Sequence, residues 1–231
     1  MYQFEQLYNV DTLDQDFSTR KFLQVLLDDS YYPIEHKYKT YNKNEKIYFP
    51  DKQKNDSNIF IIEDGVGGFY LNKELISFVG KGELAGLHNL ATREGEAQEE
   101  YVKVLTETIT LWEFSKSDIL GKIINIQDGY LYHYLTMKKI LDQMLSRYLM
   151  EHKASEERVM YYLHDIASRY GEHHADTNYL KIPQFLSQNS IINYIGVSNK
   201  TFYKILKKLC SDGIVRINEE GMFVDARYVM E

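Results

Sequence analysis

The pattern of hydrophobic and polar residues predicts a strand-rich part followed by a helical part. From about Tyr41 to Phe114, short apolar runs are separated by turn residues. The runs are KIYF, NIFIIEDG, GGFYL, LISFVGKG and the longer YVKVLTETITLWEF, and the turn glycines are Gly65, Gly67, Gly68, Gly80 and Gly82. No long helical pattern separates these runs, so they predict antiparallel strands in a small barrel or roll rather than βαβ units.

The last of these runs predicts one long strand, because its residues alternate between two faces. One face carries Val102, Val104, Thr106, Thr108, Thr110 and Trp112. The other carries Tyr101, Lys103, Leu105, Glu107, Ile109 and Leu111.

Around Ser115 the pattern becomes helical. Ser115 or Ser117 can cap a helix with Asp118 in its first turn, and a longer helix is predicted from about Asp128 to His152. Six large residues in it are spaced alternately by four and three positions: Tyr130, Tyr134, Met137, Leu141, Met144 and Tyr148. This heptad spacing predicts a helix that pairs with a second copy of itself in a homodimer. An ordinary amphipathic helix within one domain is the alternative.

The residues beside this heptad pattern are Leu131, Leu135, Leu145 and Leu149, which we expect to pack on the β part of the chain. A further helix is predicted from Ser155 to Tyr170, with Gly171 after its end and a short strand, YLKI, before Pro183.

The segment from Ser187 to Val215 has the spacing of a helix-turn-helix. A short helix, SQNSIINYI, leads to a turn at Gly196, and Ser198 then caps a second helix from Asn199 to Ser211 that ends near Gly213. Its expected apolar core is Ile192, Ile195, Val197, Phe202, Ile205, Leu206 and Leu209. After Gly213, the runs IVRI and MFV around NEEG predict a hairpin, which would form a wing.

Charge is distributed unevenly along the chain. The net charge is −7, but the segment from Lys181 to Arg216 holds six cations and one acid and carries +5, which leaves −12 for the rest. This asymmetry predicts an acidic sensing part joined to a basic nucleic-acid-binding part; a chance cluster on a solvated helix is the alternative.

The open face of the second helix supplies candidate DNA contacts. Its residues are Asn199, Lys200, Tyr203, Lys204, Lys207 and Lys208. The first turns of such a helix enter the major groove, so Asn199, Lys200 and Lys204 are candidates for contacts to base edges. We expect Lys207, Lys208 and Arg216 to meet phosphates.

The overall composition is that of a globular protein. In 231 residues, 44% are hydrophobic and 26% charged, which favours two domains with real cores. No apolar run reaches the ~18 residues of a membrane span, and the acidic N-terminus is unlike a signal peptide, so we expect a cytoplasmic protein with no membrane partner. The single cysteine, Cys210, can form neither an internal disulfide nor a four-cysteine iron–sulfur site.

The order of these parts resembles that of the Crp/Fnr family of bacterial transcription regulators over roughly residues 20–230. The resemblance rests on GKGELAGL (80–87), VLTETITLWEF (104–114) and IGVSNKTFYKILKKL (195–209). It implies an α+β protein: an N-terminal antiparallel β-roll (a double-stranded β-helix, cupin-like) with a helical segment in residues 1–115, a dimerisation helix and linker in 116–152, and a winged helix-turn-helix in 153–231. It also implies base contacts by Asn199, Lys200 and Lys204 and DNA-backbone contacts by Ser198 and Thr201.

The resemblance extends only partly to an effector site. The candidate pocket residues are Gly82, Glu83, Leu84, Ala85, Gly86 and Tyr101. In the family a glutamate meets the ribose hydroxyls of the cyclic nucleotide and a later Arg-Ser pair meets its phosphate, but Gln98, Glu99 and Glu100 stand in that later stretch here. These acids would repel a phosphate, so we expect that cyclic AMP is not a ligand.

Other cofactors, partners and functions remain alternatives. A haem held by His36, His88 or His133 is one. Another is a nucleotide-cofactor enzyme, since Gly80–Ala85 matches the loose G-x-G-x-x-A fingerprint, although that motif needs a helix and a parallel strand that are not predicted here, so we expect no enzyme. A third is a protein-interaction module with a vestigial helix-turn-helix. The expected partners are duplex DNA and a second copy of the chain; RNA polymerase and a small-molecule effector are further candidates with no identifying motif.

Overall fold

The computed structural model describes residues 10–51, 56–87, 99–173 and 178–227. The chain forms two compact units, Met1–Met144 and Leu145–Glu231. Their boundary falls within the long helix α4 (Gly129–Glu151), whose limits agree with the prediction. In the described part of the chain, no helix combines the length and apolarity needed to span a bilayer.

The first unit is built from short strands preceded and followed by helices. Its elements before α4 are α1 (Val10–Asp16), α2 (Thr19–Leu27), β1 (His36–Asn42), β2 (Lys46–Tyr48), β3 (Pro50–Asp51), β4 (Asp56–Asp64), β5 (Gly67–Leu71), β6 (Glu74–Val79), β7 (Leu84–Ala85), β8 (Glu100–Val104), β9 (Thr108–Ser115) and α3 (Lys116–Asn125). Of the two predicted candidates, Ser115 caps α3, since its Oγ accepts from the N–H of Asp118 at 3.3 Å.

The strands form two sheets, and the chain passes back and forth between them. One sheet has the order β1-β9-β4-β3 with β7 beside β4, and the other has the order β2-β8-β5-β6. All the pairs between described strands are antiparallel. This arrangement is the double-stranded β-helix, so the predicted antiparallel β-roll is confirmed.

Strand β4 has both faces buried. Phe60 and Ile62 belong to the core inside the roll, together with Val102 and Leu111. Ile59, on the other face of β4, belongs to a second core formed with the helices. The second core includes Phe22, Leu26, Phe114, Ile119, Leu131 and Leu135. The helices α2, α3 and α4 therefore cover one sheet of the roll.

The prediction of one long strand at residues 101–114 is wrong. The run is divided between β8 in one sheet and β9 in the other, with a break between Val104 and Thr108. Thr106 holds the break, because its Oγ1 accepts from the N–H of Val66 at 3.0 Å and donates to the carbonyl of Thr108 at 2.7 Å. The alternation of residues that face the core inside the roll consequently shifts by one position, from Val102 and Val104 before the break to Ile109 and Leu111 after it.

Two further expectations need correction. The strand-rich part begins earlier than Tyr41, because β1 starts at His36 and pairs along its whole length with β9. Leu131 and Leu135 are buried as expected, but Leu145 and Leu149 are 51% and 59% exposed rather than buried.

The second unit has the predicted order of elements except for a short strand at 172–173, which was not predicted. It contains α5 (Ser155–Tyr170), β10 (Glu172–His173), β11 (Tyr179–Lys181), α6 (Gln188–Ile195), α7 (Asn199–Ser211), β12 (Val215–Asn218) and β13 (Gly221–Asp225). Its sheet has the order β10-β11-β13-β12, and β12 and β13 form the predicted wing hairpin.

Candidate nucleic-acid interface

The helix-turn-helix is fixed by local capping contacts. Ser187 Oγ accepts from the N–H of Ser190 at 3.1 Å at the start of α6, and Ser198 Oγ accepts from the N–H of Thr201 at 3.1 Å at the start of α7. Between the helices, Gly196 has φ +71°, a left-handed conformation that side chains with a Cβ seldom adopt. Its N–H donates to the carbonyl of Ile192 at 3.0 Å and closes α6.

The two faces of α7 differ sharply in burial. Its buried face consists of Phe202, Ile205, Leu206 and Leu209, as predicted. With 3.6 residues per turn, Lys200, Lys204 and Lys207 fall opposite that face, and all three are exposed. Asn199 and Tyr203 are exposed along one edge of this open face. The helix therefore presents three ammonium groups and an amide to solvent from a rigid base.

The buried core beneath α7 contains more residues than the sequence predicted. Ile191 and Tyr194 of α6 are buried beside the expected Ile192 and Ile195, whereas Val197 is only half-buried. The Tyr194 ring packs edge-on against Tyr162 of α5 with 5.1 Å between centroids, and burial raises the pKa of Tyr194 to about 12. The apolar residues at 191, 192, 194 and 195 share one helix face, and this spacing could have identified them.

The hydroxyl groups near the start of α7 are oriented by other side chains. The Oγ of Ser198 and the Oγ1 of Thr201 lie 2.8 Å apart. Tyr203 Oη donates to Gln188 Oε1 at 3.0 Å and so links α7 to the start of α6. The structure thus brings Ser198, Thr201 and Tyr203 to the same end of the unit as Asn199 and Lys200.

Lys208 has a different environment from the other lysines of α7. Its Nζ lies 2.6 Å from Oε1 of Glu156 in the first turn of α5. Lys207 and Lys208 therefore do not form an equivalent pair of phosphate-binding groups, although both are exposed.

The wing carries one preorganised cation. Arg216 on β12 is exposed, and its guanidinium carbon lies 4.0 Å from the centroid of the Tyr179 ring. Tyr179 is itself fixed, because its Oη donates to the carbonyl of Gly213 at 2.5 Å. Such cation–π stacking restricts the side chain while leaving the N–H groups of the guanidinium available.

The candidate effector residues of the roll lie in different surroundings. Glu83 Oε2 accepts from the N–H of Gly80 at 2.7 Å and so closes the turn before β7. Leu84 packs against the core shared with the helices, and Ala85 faces the core inside the roll. Gly86 has φ +101°, and a Cβ there would lie 2.8 Å from the Phe49 ring.

Tyr101 is separated from that turn. Its neighbour Val102 faces the inside of the roll, so the Tyr101 side chain is on the other face of β8. There it stacks on Tyr70 with 5.2 Å between ring centroids, and Lys46 Nζ lies 4.1 Å from its ring centroid. Lys46 is also 3.7 Å from Glu99, while Gln98 lies outside the described residues. The structure does not bring Tyr101 together with Ala85.

The loop proposed for a dinucleotide joins two strands of antiparallel sheets. Residues 80–83 lead from β6 to β7, which pairs antiparallel with β4. In a dinucleotide-binding site, the G-x-G-x-x-A motif lies between a parallel strand and a helix. This loop lies between two strands instead. Gly82 therefore serves a β-turn, with φ +75°.

Two of the histidines considered as haem ligands, His36 on β1 and His133 on α4, lie on different elements. The His36 ring nitrogen Nδ1 is 3.2 Å from the carbonyl oxygen of Ile34, and its ring packs on Trp112 at 5.6 Å. Burial lowers the pKa of His133, and His88 lies outside the described residues. Within the ranges that the structure describes, no group of three His, Cys, Asp or Glu side chains is arranged to hold a metal ion.

The heptad residues of α4 form an exposed stripe. Tyr130 is 62% exposed and Met144 64%; Tyr134, Leu141 and Tyr148 are also exposed, and Met137 is half-buried. Together with Leu145 and Leu149 they leave a long apolar surface on one helix. Scattered apolar residues are normal on protein surfaces, whereas contiguous exposed apolar patches are typical of interaction surfaces.

Comparison with solved structures gives matches along nearly the whole chain. A cyclic nucleotide-binding domain-containing protein from Listeria monocytogenes EGD-e has a TM-score of 0.73 at 18% identity and covers 92% of this chain and 100% of its own. FixK2 from Bradyrhizobium japonicum has a TM-score of 0.63 at 17% identity, and the match covers 83% of this chain and 92% of FixK2. A CooA variant from Carboxydothermus hydrogenoformans also has a TM-score of 0.63, at 15% identity, and the match covers 83% of this chain and 84% of the CooA chain. The chain has the Crp/Fnr fold.

Sequence comparisons add no closer relative. A scan against family models found no match, and a search of curated protein sequences found none. The predicted resemblance to Crp/Fnr regulators is therefore confirmed through the fold, in which the roll, the long helix and the winged helix-turn-helix follow in the expected order.

Proposed function

We propose that this protein is a sequence-specific DNA-binding transcription regulator of the Crp/Fnr type, which binds an inverted-repeat operator as a homodimer. The observation that carries the proposal is the exposed face of α7, with Asn199, Lys200, Lys204 and Lys207 on a capped helix whose other face is buried. A positive stripe on one rigid helix in a protein of net charge −7 is the electrostatic footprint expected of a DNA reader. The Crp/Fnr fold supports the same assignment.

In the proposed complex the first turns of α7 lie in the major groove. Asn199 reads a base edge there, since an amide can pair bidentately with adenine, and Lys200 and Lys204 reach guanine acceptors. Ser198 and Thr201 contact the DNA backbone at the start of the helix. Lys207 and Arg216 meet phosphates, and the stacking of Arg216 on Tyr179 reduces the entropy lost when it does so.

The homodimer is supported by the exposed stripe on α4. Six residues at heptad spacing, five of them exposed, fit a left-handed pairing with the same helix of a second copy. A two-fold dimer would present two copies of α7 to DNA, which is why we expect an inverted repeat.

An effector and RNA polymerase remain proposed partners without an assigned surface. We propose that cyclic AMP is not the effector, because Glu99 and Glu100 stand where the family places a phosphate-binding pair, and Glu83 is engaged with Gly80. Titration calorimetry with cyclic AMP should give no saturable heat. Saturable micromolar binding would contradict this part of the proposal.

DNA binding itself is tested by the salt dependence of binding to a random-sequence duplex, measured by fluorescence anisotropy. Each phosphate contact contributes about 0.9 to the slope of log K against log salt concentration. Lys207→Ala should therefore flatten the slope by about 0.9. The control is Lys37→Ala, which removes an exposed lysine from β1 in the first unit and should leave the slope unchanged. Equal effects of the two variants, or no binding by the wild type, would contradict the proposal.

A further inference from the structure

One acidic side chain is bound to the lysine-rich helix. Glu156 Oε1 lies 2.6 Å from Lys208 Nζ, and the two side chains keep 44% and 57% of their surface exposed. The pair links residues 52 positions apart in the sequence and joins the first turn of α5 to the last turn of α7. Its neighbour Glu157 is paired differently, with Lys153 at 3.5 Å.

Among the lysines of α7, Lys208 is the one whose position on the helix brings it to this carboxylate. Successive residues are about 100° apart around a helix, so Lys208 is turned by about that angle from Lys207. Lys200, Lys204 and Lys207 lie opposite the buried face, whereas Lys208 lies at the edge of the open face. Helix α5 packs against α7, and its first turn places Glu156 beside that edge.

The charge of Lys208 is consequently balanced within the protein. A phosphate that approached this ammonium would have to displace Glu156 and would then lie beside an uncompensated carboxylate. Because the pair is exposed, it adds little stability to the fold. Its main electrostatic effect falls on whatever anion approaches the end of α7.

We propose that Glu156 limits the affinity of the protein for duplex DNA by neutralising Lys208. This inference rests on the proposed DNA-binding function and concerns the number of phosphates that α7 engages. Phosphate contacts contribute affinity for any sequence. An internal partner for Lys208 therefore lowers binding to random DNA and leaves a larger share of the affinity to the base-reading residues.

The proposal is tested with Glu156→Gln in the full chain, which keeps the size of the side chain and removes its charge. Binding to a random-sequence duplex should strengthen by roughly threefold to tenfold at 0.1 M salt, and the slope of log K against log salt should steepen by about 0.9. The matched control is Glu157→Gln, which removes the same charge one residue away. It should leave the slope unchanged, because Glu157 is paired with Lys153 rather than with α7.

Lys208→Ala separates this account from a general charge effect. If Glu156 acts through Lys208, Lys208→Ala alone should barely alter the slope, unlike Lys207→Ala, and it should abolish the gain of Glu156→Gln in the double variant. A gain that persists in the double variant, no gain from Glu156→Gln, or a slope reduced by Lys208→Ala as much as by Lys207→Ala would each overturn the inference. These outcomes assume a wild type that binds duplex DNA; a wild type that does not bind contradicts the proposed function instead.

Discussion

Lys122 is buried, with 1% of its surface exposed, and it is held by backbone oxygens rather than by an acid. Its ammonium donates to the carbonyl of Leu26 at 3.3 Å and to that of Asp28 at 2.6 Å. Both oxygens lie at the end of α2, where a helix leaves its last carbonyls without internal partners. Lys122 thus caps α2 from α3, 96 and 94 positions later in the chain.

Replacing Lys122 with Met should keep most of the packing and remove both hydrogen bonds. The buried carbonyl of Leu26 and the partly buried carbonyl of Asp28 would then lose this donor, and we expect a loss of about 1–3 kcal/mol in the free energy of unfolding of the first unit. Urea unfolding followed by the fluorescence of Trp112, which lies in β9 of that unit, measures this loss. Lys37→Met, at an exposed position in β1, is the control and should change stability by less than about 0.5 kcal/mol. Equal stability of Lys122→Met and the wild type would contradict the assigned role.

Lys122 should also make the stability of the first unit depend on pH in a defined direction. Burial lowers the pKa of Lys122 below its usual 10.5, against the opposing effect of Asp28 and Asp29. Between the lowered pKa and 10.5 the unfolded chain binds more protons at this position than the folded chain, so folding is favoured as pH rises. The difference in stability between the wild type and Lys122→Met should therefore widen as pH is raised toward 10.5. A difference that narrows would show that the pKa is raised instead.

At this scale the sequence predicted local contacts and missed distant ones. The cap at Ser198 was predicted, and Ser115 was one of two predicted candidates, because a capping hydroxyl and the N–H that donates to it are three residues apart. The partners of Lys122 and of Lys208 were not predicted. They are brought together only by tertiary packing, and neither pair has a spacing that a single sequence could indicate.

The sequence predicted the limits of the helices in the second unit closely, and it predicted the strands of the first unit less well. The limits of α5 and α7 agree with the prediction, since each has a start signal and a glycine at or near its end. The run 101–114 has the alternation of a single strand, but it is divided where Thr106 contacts Thr108 and Val66. Val66 is 40 positions from Thr106, so the sequence around the break does not indicate that contact.

The turn between α6 and α7 depends on the left-handed backbone of Gly196. A Cβ at this position would meet no atom within 4 Å, so Gly196→Ala introduces backbone strain without a clash. We expect the variant to lower the stability of the helix-turn-helix by about 1–2 kcal/mol, and Gly196→Asn by less, because Asn tolerates this conformation better. Hydrogen exchange of the amides in the buried turns of α7 measures the effect. Protection unchanged by Gly196→Ala would contradict the role given to this turn.

On the scale of the whole molecule, the roll and the winged helix-turn-helix were predicted because their parts follow a recognisable order, and the comparison of folds confirmed that order. The candidate effector site could not be predicted in the same way. Gly82–Gly86 were grouped with Tyr101 by sequence, yet neighbouring residues of a strand point to opposite faces, and Tyr101 belongs to the outer face of its sheet.

The homodimer is a property of the whole molecule and is tested on α4. Replacing Leu141 and Met144 together with Glu places two charges in the exposed stripe, and we expect monomers that bind DNA weakly. Sedimentation equilibrium gives the mass directly. Gln143→Glu adds a charge on the opposite side of the same helix, so it should leave the mass of the dimer unchanged. A dimer that survives the double substitution would exclude this stripe as the interface.

The most direct test of sequence-specific DNA binding by a two-fold dimer is the selection of duplexes from a random-sequence library by the wild-type protein. Two copies of α7 in successive major grooves should enrich an inverted repeat whose half-site centres are about 34 Å apart, one turn of the double helix. On the selected site, Asn199→Ala and Lys204→Ala should each weaken binding by on the order of 1–3 kcal/mol, with little effect on random duplex. Enrichment of no common sequence, or of a single site without two-fold symmetry, would contradict the account.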